Sequence, residues 1–228
     1  MGIDISPAWV SLKTTFVATF ITFFIGIASA YWMVNYRGKL KSLMDIIFTL
    51  PLVLPPTVVG FFLLLIFGKN GPIGKVLLKF GTTIIFSWPA TVIAASVVAF
   101  PLMYKTTRGA FEQIDSNIVS AARTLGVSEW RVFWNVVLPL AWPGIAAATV
   151  LAFARSLGEF GATLMIAGNI PHKTQTIPVA IYFAAESGEM DKALIWVILI
   201  VGISVIMMLL MNYWSEHQRK FIYGFRRR

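Results

Sequence analysis

Five long apolar runs organise the chain: Thr14 to Val34, Ile46 to Phe67, Thr83 to Tyr104, Gly144 to Ala167 and Leu194 to Trp214. Each approaches or exceeds the ~20 residues an α-helix needs to cross a bilayer. Spanning β-strands would alternate apolar and polar positions over ~10-residue segments, a pattern these runs lack. The expected fold is all-α, a polytopic membrane protein of about five transmembrane helices in a single domain covering residues 1–228, with its longest polar connection at 105–143.

Composition agrees. Hydrophobic residues make up 57% of the 228 residues and charged residues 13%, with mean hydropathy +0.77. A soluble domain is about half apolar and about a quarter charged, so the chain belongs in lipid. With no cysteine there is no disulfide framework, thiolate metal site or cysteine nucleophile. The first run resembles a secretory signal, because Lys13 precedes it and Ala28-Ser29-Ala30 imitates a cleavage site. It is too long for the usual ~7 to 15 residue apolar region, and Arg37, Lys39 and Lys41 follow at once, which opposes export.

The net charge of +9 would suggest nucleic acid in a soluble protein, but here its distribution decides, and no nucleic-acid partner is expected. One set of loops holds Arg37, Lys39, Lys41, Lys105, Arg108, Arg123, Arg131, Arg219, Lys220, Arg226, Arg227 and Arg228. The other holds Lys13, Lys69, Lys75, Lys79, Lys173 and Lys192. Because basic residues collect on the cytoplasmic side, the N-terminus is expected outside and the C-terminus in the cytoplasm. That makes 105–143 the long cytoplasmic loop and the main docking surface for any cytoplasmic partner.

Within this loop Ile114, Ile118, Ala121, Ala122 and Leu125 recur at helical spacing, with Glu112, Asp115 and Arg123 on other faces. Gly126 stops that helix, and Ser128 is suited to cap a second whose Trp130, Phe133, Trp134 and Val137 share a face before Pro139 and Pro143 end it. Two alternatives follow from the pattern: the apolar faces lie in the headgroup layer, or one lays into a groove on another protein.

Nothing in the chain supplies energy. The nearest approach to a phosphate loop is Gly74-Lys75, but Lys69 stands where the first glycine belongs and Val76 where a hydroxyl should bind magnesium. No HExxH zinc motif and no GxSxG nucleophile turn is present. An ion-coupled carrier would show two similar halves with matching broken helices, and no such repeat is visible.

Two spans are unusual. The second begins Thr49-Leu50-Pro51-Leu52-Val53-Leu54-Pro55-Pro56. Pro51, Pro55 and Pro56 each lack an N–H and clash with the carbonyl four residues back, so an unbroken helix is excluded. In hydrocarbon the freed carbonyls are tolerated only where protein or a water-filled path satisfies them. This places the stretch toward the centre of an assembly, either as a packing kink or in contact with a transported species. The fourth span carries Arg155 and Glu159 beside the small-residue stripe Ala154, Gly158 and Ala162. An ionised side chain near the bilayer centre costs ~2.5 to 3.5 kcal/mol, so the two need mutual pairing or a polar cavity. Structural pairing and a pathway or gate role both satisfy that need.

Ser120-Ala121-Ala122, three residues, Gly126, nine residues, then Val136-Val137-Leu138-Pro139 resembles the EAA motif of permease subunits in bacterial and archaeal ATP-binding cassette importers. Ser120 stands where that motif has glutamate, removing a carboxylate a partner could pair with, and Val136 replaces isoleucine. Leu50 to Gly60, Ala121 to Gly126 and Leu151 to Thr163 resemble more narrowly the molybdate permeases of such importers, with sulfate and tungstate permeases as close relatives. The resemblance implies a non-enzymatic permease in the plasma membrane, surrounded by lipid. It implies a homodimer joined by two separate ATPase subunits that carry ATP and magnesium, and an extracytoplasmic oxyanion-binding protein. This chain would hold no cofactor. Ser120, Ala121, Ala122, Gly126, Leu138 and Pro139 would couple to the ATPase. Pro51, Pro55, Pro56, Arg155 and Glu159 are the candidates for the pathway or its gate. An ion-coupled carrier or an enzyme working within the membrane is the distant alternative.

Overall fold

The computed structural model describes residues 4–225, with side chains through residue 210. Arg226, Arg227 and Arg228, and the side chains of Trp214, His217, Arg219 and Lys220, lie outside the described residues. The basic C-terminal cluster that weighed in the orientation is therefore among what is not described.

Helix α1 runs Ser6–Asn35, beginning well before the apolar run and ending with it. The next apolar run forms two helices, α2 Lys41–Val53 and α3 Pro56–Phe67, bent by 115° at the Leu54-Pro55 break. Leu54 and Pro55 both precede a proline, and the clash of that ring with the preceding residue forces them out of the helical region. Their ψ values of 142° and 137° are extended. A short α4, Pro72–Lys79, leads to α5, Trp88–Glu112.

α1 and α5 run in the same direction. The Thr14 and Thr91 hydroxyls lie 2.9 Å apart near their starts, and the Tyr31 and Phe111 rings lie 5.9 Å apart near their ends. The chain between them must therefore return from the Asn35 end to the Trp88 end. Phe48 of α2 packs on Tyr104, ring centroids 5.2 Å apart, whereas Val59 and Leu63 of α3 pack with Ala90 and Ala94. Despite its bend, the pair carries the chain from one end of the bundle to the other and serves as the second span.

After α5 come α6, Ser116–Thr124, then α7, Glu129–Val132, a π-helical turn Phe133–Val137, and α8, Leu138–Leu157. Two expectations are corrected here. First, Pro139 and Pro143 do not end the second arm of the loop, which runs on into the fourth span as one stretch, Glu129–Leu157. The Leu138 N–H bonds to the Phe133 carbonyl five residues back, so the π-turn shifts the register just before Pro139, where a missing N–H and a ring can be absorbed. Second, α5 continues to Glu112, so the connection outside the spanning helices is 113–128 rather than 105–143.

α8 is antiparallel to α1: Phe16 meets Phe153 at 5.3 Å and Tyr31 meets Phe133 at 4.5 Å. Around α1, α5 and α8 the core is built of small residues, with Ala30, Ala99, Ala148 and Ala152 fully buried beside Met33, Met103 and Ile145. Without a water-driven hydrophobic effect between helices, close backbone approach supplies the packing. The fourth span stops at Leu157, ten residues short of its expected end, and after a break the chain forms α9, Gly161–Ala167, and α10, Ile177–Glu186. The Ile177 N–H donates to the buried Ser11 Oγ at 2.7 Å, fixing α10 on the start of α1. The last helix, α11 Met190–Phe225, exposes Leu194, Ile198, Val201, Val205 and Leu209, an outer face suited to lipid.

Candidate functional site

At the Leu157 end of α8 the break expected from the prolines meets a second break, in the fourth span, that the sequence did not announce. Gly60 of α3 lies so close to α9 that an added Cβ would fall 2.8 Å from the Ala162 Cα. One at Gly161 would fall 3.2 Å from the Pro56 Cβ and the Thr57 N. Pro56, immediately after the first break, therefore rests on the residue two beyond Glu159.

Arg155 and Glu159 are paired, one of the two arrangements the sequence left open, with Nη1 to Oε2 at 2.9 Å, but not on one continuous helix. Glu159 sits in the Gly158–Phe160 break, so the Ala154, Gly158, Ala162 stripe is not continuous either. The break has a physical cause: Glu159 Oε1 accepts the Ala162 N–H at 2.8 Å, satisfying one of the first unpaired donors of α9, and a carboxylate suits a helix start. The Glu159 side chain is 1% exposed and Arg155 29%. Glu159 Oε2 has no aligned hydrogen-bond donor, so its neutralisation rests on the ionic contact. The guanidinium remains partly open, held by one carboxylate that is already committed to a helix cap.

At the other end of α8, roughly 30 Å away by helical rise, lies the elbow. Asp115 caps α6 by accepting the Asn117 N–H at 2.9 Å. Gly126 follows the helix with φ +75°, the left-handed residue that lets the last carbonyls bond as the chain turns. An added Cβ there meets nothing within 4 Å, so backbone conformation alone demands the glycine. Arg123 grips Glu129 with two bonds, 2.7 and 3.0 Å, across the turn, and this carboxylate raises the pKa of the Arg123 guanidinium. Ser128 occupies the cap position of α7 by its backbone but makes no side-chain cap bond.

Ser120, Ala121 and Gly126 are exposed, Ala122 and Leu138 half-buried, and Pro139 exposed. Ala122, Val127, Phe133, Val136 and Leu138 pack on the central core, while Leu125 is 82% and Trp130 70% exposed. The loop thus has one face anchored on α5 and α8 and one apolar face open. Pro51 lies a turn before the α2–α3 break and lines a largely apolar cavity of about 250 Å³ with Ile21, Thr22, Ser96 and Phe100.

Sequence reasoning missed a third cluster. Asp45 of α2 accepts from the Tyr104 hydroxyl at 2.8 Å and from Arg108 Nη1 at 2.6 Å, and Arg108 Nε donates to Glu112 at 2.7 Å. Tyr104, Arg108 and Glu112 recur every four residues, a spacing visible in the sequence. Their tie to Asp45, across 59 residues or more, was not.

The model of the family "Binding-protein-dependent transport system inner membrane component" matches residues 22–220. The chain is 43% identical to the molybdenum transport system permease protein of Escherichia coli strain K12, over 94% of this chain and 96% of the relative. It is 45% identical to the molybdenum transport system permease protein of Haemophilus influenzae, over 82% of this chain and 81% of the relative. A bacterial alginate ABC transporter, solved in complex with its alginate pentasaccharide-bound periplasmic protein, contains a chain of the same fold. Its TM-score is 0.77 at 17% identity, over 93% of this chain and 78% of that one.

Proposed function

The chain belongs to the family of binding-protein-dependent transport system inner membrane components, and from that premise we propose that it is the permease of an ATP-driven molybdate importer. Two copies line the pathway about a two-fold axis, since one surface meeting its own copy makes a closed dimer and five spans enclose little by themselves. Two ATPase subunits, carrying ATP and magnesium, seat on the elbows. An extracytoplasmic binding protein delivers the oxyanion on the side where the N-terminus lies, and the C-terminus is cytoplasmic.

The observation that carries this assignment is the elbow: α6, Gly126 and α7 form an apolar-faced projection whose second arm runs unbroken into α8. ATP binding draws the ATPases together, the elbows follow, and the subunits exchange one packing for another, opening outward; hydrolysis returns them. Arg155 offsets the charge of a passing dianion while Glu159 keeps it from being held. A tight site would trap the cargo.

The test is reconstitution in liposomes with the ATPase and binding protein loaded in turn with molybdate, tungstate and sulfate. Molybdate-loaded protein is expected to stimulate hydrolysis most and to drive uptake. Stimulation by sulfate or tungstate in its place would reassign the cargo, and uptake that follows an ion gradient and ignores ATP would overturn the proposal. Arg155→Ala should slow uptake while the ATPase still co-purifies.

A further inference from the structure

Resting on the permease assignment, we propose that Asp45, Tyr104 and Arg108 form a joint through which the elbow moves the proline break, a set of positioning residues for transport separate from the Arg155–Glu159 pair. α2 has no fully buried residue, and at its far end Val53 is 81% exposed. Its attachment is concentrated near its start, where Met44 and Phe48 lie against the core cluster that includes Tyr104 and Asp45 takes its two bonds. The rest of α2, where Pro51 lies beside Ile21 and Phe100 across an apolar cavity, leads from that attachment to the break as a lever.

Apolar packing alone would let α2 slide and roll on α5, because it has no direction. Hydrogen bonds do have direction. One Asp45 oxygen is bonded by two donors a helical turn apart on α5, and Arg108 Nη1 also reaches the Tyr104 hydroxyl at 3.2 Å. Together these fix the rotation of α2 about α5 as well as its distance. Tyr104 is fully buried, which strengthens its bond to Asp45 relative to water, while Asp45 and Arg108 keep 33% and 23% of their side-chain surface exposed.

The same Arg108 reaches toward the elbow. Its Nε holds Glu112, the last residue of α5, three residues before Asp115 caps α6. A displacement of the elbow is thereby delivered through Glu112 and Arg108 to Asp45. α2 then carries it through Pro51 to the break at Pro55 and Pro56, and Pro56 bears on Gly161, two residues beyond Glu159. The chain of contacts is contiguous, and coupled variants along it are its test.

The experiment measures oxyanion imported per ATP hydrolysed, in liposomes holding the complete transporter and its binding protein. Asp45→Asn keeps the shape and removes the charge. It should lower that ratio about tenfold, the size expected for charge-assisted bonds, with co-purified ATPase and hydrolysis near the unsubstituted level. Tyr104→Phe keeps the ring on Phe48 and should lower the ratio about threefold. The double variant should be no worse than Asp45→Asn, because both act at one oxygen. An unchanged ratio, or uptake and hydrolysis falling together with the amount of assembled complex, overturns the joint and leaves a structural contact. If Asp45→Asn does not assemble, the ratio for Tyr104→Phe decides by the same criterion. Absence of ATP-driven uptake in the unsubstituted complex would overturn the permease assignment and this proposal with it, whereas normal uptake with an unchanged ratio overturns the joint alone.

Discussion

The two ends of α8 solve the same problem, turning a chain out of a helix, by opposite means. At the elbow the turn is open: Gly126 has free space around it, Arg123 and Glu129 are largely solvated, and apolar side chains point outward. At the break the turn is closed: Gly60 and Gly161 touch neighbouring backbone, and Glu159 is buried. One end is specified by local conformation and left free to meet something else. The other is specified by what already surrounds it. An ABC-type permease needs both, a projecting handle and a tightly fitted interior that has few alternative arrangements.

The contrast is sharpest in the response to substitution. Gly60→Leu should have the largest effect, because the side chain has to displace the Ala162 backbone. A loss of about 3 kcal/mol is expected from overpacking, read as a fall in melting temperature and in assembled protein. Next is Arg155→Ala, which leaves the Glu159 charge buried without its basic partner. Discounted for the partial exposure of Arg155, it should cost about 2 kcal/mol and slow uptake, and an unchanged melting temperature would show that Glu159 is neutralised elsewhere.

Gly126→Ala should cost about 1 kcal/mol through its left-handed backbone alone, with Gly126→Asn milder because asparagine tolerates that region. Loss of ATPase co-purification should exceed any change in melting. If Gly126→Ala destabilises as much as Gly60→Leu, the elbow is not the open turn described. Least affected is the fold of Arg123→Ala: an exposed pair contributes little, so melting should be unchanged, and only the coupling of hydrolysis to uptake should respond.

How much of this was legible in the sequence followed the same division. Gly126 and the apolar spacing of the loop could be read directly, because left-handed turns and helical periodicity depend on a few nearby residues, whereas Asp115, assigned to a helix face, turned out to cap α6, and Ser128, assigned as a cap, makes no cap bond. The chain break among Pro51, Pro55 and Pro56 was legible for the same reason. By contrast, the proline-studded run at Pro139 and Pro143 was misread as a helix end, since the π-turn that admits it depends on how Phe133 and Val137 pack in the core. The spacing of Arg155 and Glu159 allowed the pairing that forms, yet the break between them was not foreseen: it requires the Ala162 N–H to draw Glu159 into a cap.

By itself, the sequence determined the helical class, the apolar segments that cross the bilayer, the turn at Gly126 and the break at the prolines. All of these arise from interactions a few residues apart, or from the cost of placing polar groups in hydrocarbon. Tertiary structure alone decided that the α2–α3 bend rests on Gly161, that Glu159 is buried at a helix start, and that Asp45 binds a tyrosine and an arginine on α5. Those are contacts between residues far apart in the chain, chosen by which small side chains let two backbones approach, and no local pattern specifies them.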